Sequence, residues 1–172
     1  MIEVRDLHVS ELGRAAEIDV TEDGSVVLEQ RGTAIQARSE EWRRPPRDEA
    51  EWRAFEARWR AFVPASGVAL GAFAGTRLVG IATLRRAIRP GIDQLEALFV
   101  DRAHRRLGAA AALVAGIEAL ARSGGARLLY VSATPSESAV GFYRSRGFIP
   151  TVTPIPELLE HEPEDVHMTL AL

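Results

Sequence analysis

The sequence predicts an α/β protein built as a single domain over residues 1–172, and three stretches carry this prediction. Residues 95–100 form an apolar strand that leads into a basic turn and an alanine-rich helix with apolar residues at helical spacing. Residues 68–86 contain two apolar runs separated by three residues, which is typical of an antiparallel hairpin. Residues 127–133 form a further strand of the buried type, directly after the helix stops at a glycine pair.

Length and composition favour a soluble enzyme or binding protein. The 172 residues suffice for one domain with a sizeable core, and 47% apolar with 26% charged residues is typical of globular proteins. The net charge of −3 argues against nucleic-acid binding, and no apolar run approaches the ~20 residues that span a bilayer. The chain has no cysteine, which excludes a cysteinyl acyl-enzyme. We therefore expect a cytoplasmic protein without a membrane or nucleic-acid partner.

The first quarter of the chain carries weaker patterns. We expect a strand at residues 2–5, a helix capped by Ser10 that ends near residue 18, and a turn at residues 21–25 before a short strand at 26–28. Residues 31–48 are polar and contain a proline pair, so they are predicted to be the least ordered segment.

Residues 47–62 predict an amphipathic helix. Its apolar positions recur at offsets of three and four and share one face, which carries Trp52, Phe55, Trp59 and Phe62. An aromatic stripe of this kind is more typical of a core or pocket wall than of a ligand site.

The turn at residues 101–108 has the properties of an anion site. A helix start leaves backbone N–H groups unpaired, and the helix dipole adds partial positive charge there. Gly108, Ala109 and Ala110 have little or no side chain, so a bulky anion can approach this backbone closely. Full positive charges stand beside it at Arg102, Arg105 and Arg106. The pattern predicts a diphosphate site, although an ordinary strand-to-helix turn with solvated arginines has the same local signature.

The last third of the chain predicts a short helix between two strands, followed by an acidic segment and a final strand. The helix opens at residues 135–137 and closes at Gly147, a strand occupies residues 148–153, and the final strand runs over 166–172. The acidic residues at 157–165 either form a solvated loop or draw a cationic amine towards the site.

Two spaced motifs resemble one enzyme family. Arg105-x-x-Gly108-x-Ala110 is similar to the acyl-coenzyme A loop of the GNAT N-acetyltransferases. Ser136-x-x-Ala139-x-x-Phe142-Tyr143-x-x-x-Gly147-Phe148 is similar to the block that follows the fifth core strand of the same family. The two motifs stand about thirty residues apart with a helix and a strand between them, which is the order in that family. Residues 17–22 and 162–168 also resemble a bacterial subgroup that acetylates small molecules or peptides.

The resemblance implies a fold and a co-substrate. The fold is a central mixed, mostly antiparallel sheet flanked by helices and splayed between its fourth and fifth core strands. The co-substrate is acetyl-CoA, with no metal. Backbone groups of Leu98 and Val100 would pair with the pantetheine amides, and an N–H near Leu98 or Phe99 would hold the thioester oxygen.

The resemblance also implies which residues contact the rest of the cofactor. The pyrophosphate would lie beside Arg105, on the backbone N–H groups of Arg106, Leu107, Gly108, Ala109 and Ala110. The pantetheine arm would contact Ser136, Ala139 and Phe142. Ser136 stands where the family usually has asparagine, which puts one side-chain contact to the pantetheine in doubt.

The implied reaction is direct attack of an amine on the thioester within a ternary complex. An amine of pKa ~10.4 is mostly protonated at neutral pH, so a general base is useful. Alternation along the strand is expected to place Gln94, Glu96, Leu98 and Val100 on one face. In the family, residues at the positions of Gln94 and Glu96 reach the acceptor, and only Glu96 can take a proton. Tyr143 is the expected general acid for the departing thiolate, with a packed aromatic as the alternative interpretation.

Two functions remain open at this point. The first is N-acetylation of a small-molecule or peptide amine, and the second is a non-catalytic acyl-CoA-binding sensor of the same fold. Glu96 and Tyr143 favour the enzyme, and the acceptor is not specified. His104 is expected to flank phosphate or water, whereas the other histidines have no metal-ligand spacing. The resemblance is compatible with a homodimer, which no residue pattern requires.

Overall fold

A seven-stranded sheet organises the chain in the computed structural model, which describes residues 1–172. The strands of this sheet, in chain order, are β1 (Ile2–Asp6), β4 (Val68–Ala74), β5 (Arg77–Arg89), β6 (Ile92–Val100), β7 (Leu128–Ala133), β8 (Ile149–Pro150) and β9 (Val166–Ala171). A separate two-stranded sheet contains β2 (Glu22–Arg31) and β3 (Ala34–Arg44). The helices are α1 (Glu49–Phe62), α2 (Ala109–Ser123), α3 (Glu137–Ser145) and α4 (Pro156–His161), with a 3₁₀ helix at Val9–Glu17 and a 3₁₀ turn at Arg102–His104.

The large sheet is mixed and mostly antiparallel, as predicted. Its strand order is β1-β4-β5-β6-β7-β9-β8, and β6–β7 is the one parallel pair. The β4–β5 hairpin turns at Gly75, whose φ of 62° lies in the left-handed region that favours glycine. The antiparallel hairpin predicted from the tight spacing is therefore confirmed.

The two faces of the sheet carry separate cores. On one face α2 buries Leu113, Val114 and Ile117 against β4, β5, β6 and β7. A Cβ atom on Gly116 would approach Leu70 Cδ1 to 2.7 Å, so a glycine lets α2 pack this closely on β4. On the other face the 3₁₀ helix and α1 bury Leu12, Trp52 and Trp59 against the sheet.

Helix α1 begins two residues later than predicted because Asp48 caps it. Glu51 N–H donates to Asp48 Oδ1 at 2.8 Å, and Asp48 N–H donates back to Glu51 Oε2 at 2.8 Å. The aromatic stripe faces the core as predicted, with Trp52 and Trp59 buried and Phe55 and Phe62 partly buried. Arg47 is left outside the helix.

The prediction that residues 31–48 are the least ordered segment is wrong, because most of this segment is strand β3. The turn lies at residues 32–33, where Gly32 has a φ of 64°, and the predicted turn at residues 21–25 falls inside β2. Gly24 marks a register shift instead, and the Trp42 ring covers it. One face of this hairpin carries Leu28 and Ile35, which pack against the core, but polar and charged residues occupy most other positions. The period-2 alternation is therefore weak in the sequence.

Three smaller predictions also need correction. The helix expected after Ser10 is a 3₁₀ helix capped by His8, whose Nδ1 accepts from Ser10 N–H at 3.3 Å. The strand expected over residues 148–153 is limited to Ile149–Pro150, since Pro150 has no N–H to continue a ladder. Part of the acidic loop is helix α4, which starts with proline at its first position.

Candidate functional site

The two central strands separate halfway along their length. Pairing between β6 and β7 ends at Gln94 and Tyr130. Beyond that point β6 continues along β5 to Val100, and β7 continues along β9 to Ala133. Backbone groups of residues 95–100 that face β7 are therefore free to pair with an extended ligand. The predicted splay between the fourth and fifth core strands is confirmed.

A cavity of about 500 Å³ fills the gap between these strands. Its walls also include α1, α3, the loop before α2 and the base of the β2–β3 hairpin. The predicted site residues that line it are Glu96, Leu98, Phe99, Val100, Arg105, Arg106, Gly108, Ala110, Ala139, Phe142 and Tyr143. Three others do not line it: Leu107 is exposed, and Ala109 and Ser136 are buried.

One end of the cavity is the start of α2. No side chain caps this helix, and no hydrogen bond uses the backbone N–H groups of residues 109–111. Gly108 has a φ of 89°, and nothing lies within 4 Å of where its Cβ would be. By contrast, Asp48 caps α1 and Ser136 caps α3. This helix start thus has the free donors and the open approach that an anion needs.

The loop that presents this helix start is anchored by Asp101, whose side chain is buried. Its carboxylate accepts from Asp19 N–H at 3.0 Å and from Arg77 Nη2 at 2.9 Å, and it contacts His104 Nδ1 at 2.8 Å. Burial disfavours the carboxylate, but His104, the Asp19 N–H and Arg77 outweigh it and lower the pKa of Asp101. His104 lines the cavity and orients the loop through this contact.

A β-bulge places Glu96 in the middle of the cavity wall. Leu95 pairs with Leu84 and Ala97 pairs with Thr83, so Glu96 is the extra residue of β6. The prediction that Gln94, Glu96, Leu98 and Val100 share one face is therefore wrong, and Gln94 is buried outside the cavity lining. Leu98 and Val100 pack on the α2 side of the sheet, whereas Glu96 contacts Trp59 of α1 on the other side.

The Glu96 carboxylate is well buried and hydrogen-bonded, with its side chain 7% exposed. Oε2 accepts from Trp59 Nε1 and from Thr83 Oγ1, each at 2.8 Å. Oε1 lies 2.6 Å from Nε of Arg58, whose side chain is 42% exposed. A carboxylate oxygen has about two lone-pair sites, so Oε2 is fully used and Oε1 retains one.

Tyr143 lines the cavity from α3. Its ring packs edge-on against Phe142 and Phe148, with centroids 5.4 and 5.3 Å apart. Burial, assisted by the charge of Asp165, raises the pKa of the Tyr143 hydroxyl. The hydroxyl makes no hydrogen bond within the protein, so at neutral pH it is a protonated donor available to a ligand.

Comparison with known proteins identifies the family. A family model described as the acetyltransferase (GNAT) family matches residues 32–148. The chain belongs to the GNAT acetyltransferase family. No curated protein matches the chain in a sequence search.

Solved structures share the GNAT fold over nearly the whole chain. A nourseothricin acetyltransferase has a TM-score of 0.74 at 14% identity, covering 99% of this chain and 98% of that one. A protein from Bacillus anthracis described as a streptothricin acetyltransferase, solved with acetyl-CoA, has a TM-score of 0.71 at 16% identity and covers 100% of both chains. The PaiA N-acetyltransferase from Thermoplasma acidophilum, solved with coenzyme A, has a TM-score of 0.64 at 16% identity over 100% of this chain and 99% of that one.

The sequence reasoning missed the charged residues that this GNAT cavity receives from the hairpin and from α1. Arg44 Nη1 donates to Glu22 Oε2 at 3.2 Å, and Arg58 pairs with Glu96. Arg47 lines the cavity from the segment between β3 and α1. No local pattern in the sequence distinguishes Arg58, which lies beside Glu96 because the neighbouring Trp59 packs on the sheet and donates to the same carboxylate.

The acidic segment at residues 157–165 divides between the site and the surface. Glu162 and Asp165 line the cavity, whereas Glu157 pairs with Arg89 on the outside. Burial, followed by the like charge of Glu162, raises the pKa of Asp165 to about 6. No group of three or more potential ligand side chains could hold a metal ion, and no helix combines the length and apolarity that crossing a membrane requires.

Proposed function

We propose that residues 1–172 act as one acetyl-CoA-dependent N-acetyltransferase domain, which transfers acetyl directly to a primary amine of a small molecule or peptide. One observation carries the proposal: a single cavity joins the uncapped start of α2 to the Glu96 carboxylate. A ligand that spans this cavity places an anion at one end and its reactive group near the other.

The residues at the α2 end fit the cofactor. Free backbone N–H groups at residues 109–111 would bind the pyrophosphate, and Arg105 and Arg106 would neutralise it. Leu98 and Val100 would pair with the pantetheine amides through backbone groups that β7 leaves free. Ala139 and Phe142 would contact the pantetheine arm. The hydroxyl of Ser136 accepts from Ala139 N–H at 3.2 Å, so Ser138, which lines the cavity, is the better placed serine for a polar contact.

Glu96 would serve as the general base, directly or through a water. The thioester supplies an activated acetyl group, and the N–C bond forms as the C–S bond breaks. Glu96 would take the amine proton on Oε1, its oxygen with a remaining lone pair. Arg58 must then move away, which its exposed side chain allows. An N–H near Leu98 or Phe99 would hold the negative charge that develops on the carbonyl oxygen.

Tyr143 would protonate the departing sulfur. Tyr143 lines the cavity, and its hydroxyl keeps its proton at neutral pH because burial raises its pKa. A thiol of pKa ~8.5 is already a fair leaving group, so this proton contributes less than the base does.

One observation favours a second candidate, a non-catalytic acyl-CoA sensor. The Glu96 carboxylate already contacts Trp59, Thr83 and Arg58, as a purely structural carboxylate would. In a sensor these contacts would stay intact when the ligand binds, and no amine would be acetylated.

The test combines cofactor binding with turnover. Acetyl-CoA at a hundredfold excess over its Kd is expected to stabilise the protein by about 2.7 kcal/mol, measured by thermal unfolding. Gly108→Glu should remove this shift, because the new carboxylate blocks and repels the pyrophosphate. Gly125→Glu is the matched control: it lies just past the other end of α2, also has a positive φ of 84°, and also has nothing near its Cβ position.

Thiol release over a panel of primary amines then separates the two candidates. Release with primary amines, and none with their N,N-dimethyl analogues, supports the enzyme. An acetyl-CoA shift without release for any amine supports the sensor. No shift at saturating acetyl-CoA contradicts both.

A further inference from the structure

Two arginines of the cavity have no hydrogen-bonded partner. Arg44 and Arg58 each contact a carboxylate within 3.2 Å, and Arg105 donates to the Val20 carbonyl. Arg106 has no partner but is exposed in the loop beside the proposed pyrophosphate site. The remaining unpartnered cation is Arg47, and the cofactor loop does not account for it.

The environment of Arg47 is unusual for an unpaired cation. Its guanidinium lies over Phe55 and Phe99, 4.5 and 5.1 Å from the ring centroids. The nearest carboxylate oxygen, Glu51 Oε1, is 3.8 Å away, beyond hydrogen-bond distance. Nε is buried without any partner, and a buried donor left unpaired costs free energy. Burial, together with neighbouring Arg44 and Arg58, lowers the pKa of Arg47 despite Glu51.

Arg47 stands at the Glu96 end of the cavity. Arg47 and Arg58 flank the same Phe55 ring, with their guanidinium carbons 4.5 and 4.6 Å from its centroid. Arg58 in turn contacts Glu96 at 2.6 Å. Phe99, the other ring beneath Arg47, packs on the α1 side of the sheet, opposite α2 and Gly108. The anion that Arg47 lacks is therefore not expected to be the cofactor pyrophosphate.

We propose that Arg47 binds a carboxylate of the acceptor, so that the preferred acceptor is an amino-acid-like molecule with a primary amine and a carboxylate. This inference rests on the proposed function. A planar guanidinium binds a carboxylate through two parallel hydrogen bonds, and the aromatic rings fix the plane of that guanidinium. Arg47 is one cation without a hydrogen-bonded partner, which matches a single negative charge on the acceptor. An ammonium placed beside Arg47 instead would meet a cation whose other charged neighbours are Glu51, Arg44 and Arg58. Glu162 and Asp165 also line the cavity, but they are not among the charges that act on Arg47.

The experiment compares acceptors that differ only in this charge. Linear ω-amino acids of increasing chain length are assayed beside their primary amides, with saturating acetyl-CoA, using wild type, Arg47→Gln, Arg47→Lys and Arg53→Gln. Arg53→Gln is the control, because Arg53 is a highly exposed arginine of α1 that pairs with Glu49 away from the cavity.

The acid of the best chain length is expected to have a kcat/KM about 10- to 100-fold higher than its amide with wild type. Arg47→Gln should remove this preference by raising KM for the acid, while KM for the amide stays unchanged. Arg47→Lys should keep part of the preference, because it retains the charge without the planar fork. Arg53→Gln should behave as wild type.

A binding measurement decides the same question without turnover. Hexanoate and shorter linear carboxylates should raise the unfolding midpoint of the wild-type complex with coenzyme A, whereas hexanamide should not, and Arg47→Gln should lose the response. Equal use of acids and amides, equal responses to hexanoate and hexanamide, or weakened acetyl-CoA binding in Arg47→Gln would overturn this inference. If none of the amines gives thiol release, the proposed function is refuted instead. The titration with hexanoate and hexanamide would still test the Arg47 site.

Discussion

The two ends of the cavity are built in different ways. The end proposed to bind the cofactor consists of one contiguous segment, the loop at residues 101–108 and the first turn of α2, and its donors are mostly backbone N–H groups. The end proposed to bind the acceptor takes side chains from the β2–β3 hairpin, α1, β6 and the segment before β9. At the first end the backbone donors lack partners within the protein, whereas at the second the Glu96 carboxylate is already paired with Arg58.

This difference has an energetic consequence. An anion at the start of α2 meets donors that need no rearrangement, so most of its interaction energy is available for binding. An acceptor that approaches Glu96 must displace Arg58, and must restore whatever stabilisation that ion pair contributes. The first end therefore suits a ligand whose anionic part never varies. The second end can reject an amine that does not replace the contacts it breaks.

The largest expected effect concerns the base at the acceptor end. Glu96→Gln should lower kcat by about 10²- to 10³-fold with acetyl-CoA affinity unchanged, because the amide cannot accept the amine proton. The measurement is steady-state thiol release at saturating acetyl-CoA together with the cofactor-induced shift in unfolding midpoint.

Glu49→Gln provides the comparison for this variant, since Glu49 is a highly exposed glutamate of α1 outside the cavity. It should leave kcat unchanged. If Glu96→Gln retains wild-type kcat, the Glu96 carboxylate has a structural role only, and the second end of the cavity does not supply the general base.

A smaller effect concerns how the buried carboxylates at the two ends, Asp165 and Asp101, change the stability of the protein with pH. Asp165, at the acceptor end, has its pKa raised from 3.8 to about 6 by burial and by Glu162. As the pH rises from 4 to 6, Asp165 ionises in the unfolded chain before it ionises in the folded protein. The free energy of unfolding therefore falls as the pH rises through this range. Asp165→Asn should therefore stabilise the protein by up to ~3 kcal/mol at pH 7 and have little effect near pH 4.

At the cofactor end, the ionised carboxylate of Asp101 is expected to stabilise the folded protein, which is the opposite of the effect of Asp165. The pKa of Asp101 is lowered, so its contribution is present above the usual pKa of an aspartate and is lost as the pH falls. Asp101→Asn should thus destabilise the protein at pH 7. Thermal unfolding of both variants from pH 4 to 8 measures whether each substitution raises or lowers the stability of the protein. A destabilised Asp165→Asn at pH 7 would mean that this carboxylate has a partner in solution.

The same contrast explains what could be predicted from the sequence. The open start of α2 was predictable because its residues are neighbours in the chain, and the small side chains at Gly108 and Ala110 can be read directly from the sequence. The hairpin at 68–89 and the amphipathic helix α1 were predictable for the same local reason, through turn spacing and periodicity. Ser136 was placed correctly at a helix start, where it is the helix cap.

The acceptor end could not be predicted in this way. Its geometry depends on a bulge at Glu96, and a bulge cancels the alternation from which the shared strand face was inferred. It also depends on the β2–β3 hairpin, which has few apolar residues. The hairpin docks through Leu28 and Ile35, which pack against the core, and through contacts such as Leu28 N–H to the Pro135 carbonyl at 2.9 Å. Arg47 and Arg58 join the site only through such long-range packing, and nothing in their local sequence distinguishes them from other arginines.

The smallest expected effect concerns the leaving group, and the chain's two tyrosines make it a matched test. Tyr143→Phe should lower kcat about tenfold, because the departing thiolate loses its proton donor but remains a fair leaving group. It should cost little stability, since the Tyr143 hydroxyl makes no hydrogen bond within the protein. Tyr130 also has a buried ring, but it does not line the cavity.

Tyr130→Phe is expected to show the reverse pattern. The Tyr130 hydroxyl contacts His167 Nδ1 at 2.7 Å and accepts from Ile155 N–H at 3.2 Å, so its loss leaves two buried groups unpaired. The free energy of unfolding should fall by about 1–3 kcal/mol, seen as a lower unfolding midpoint, while kcat should be unchanged. If both variants lose activity only in proportion to their stability, Tyr143 is a packed aromatic like Tyr130, and protonation of the thiolate must come from solvent.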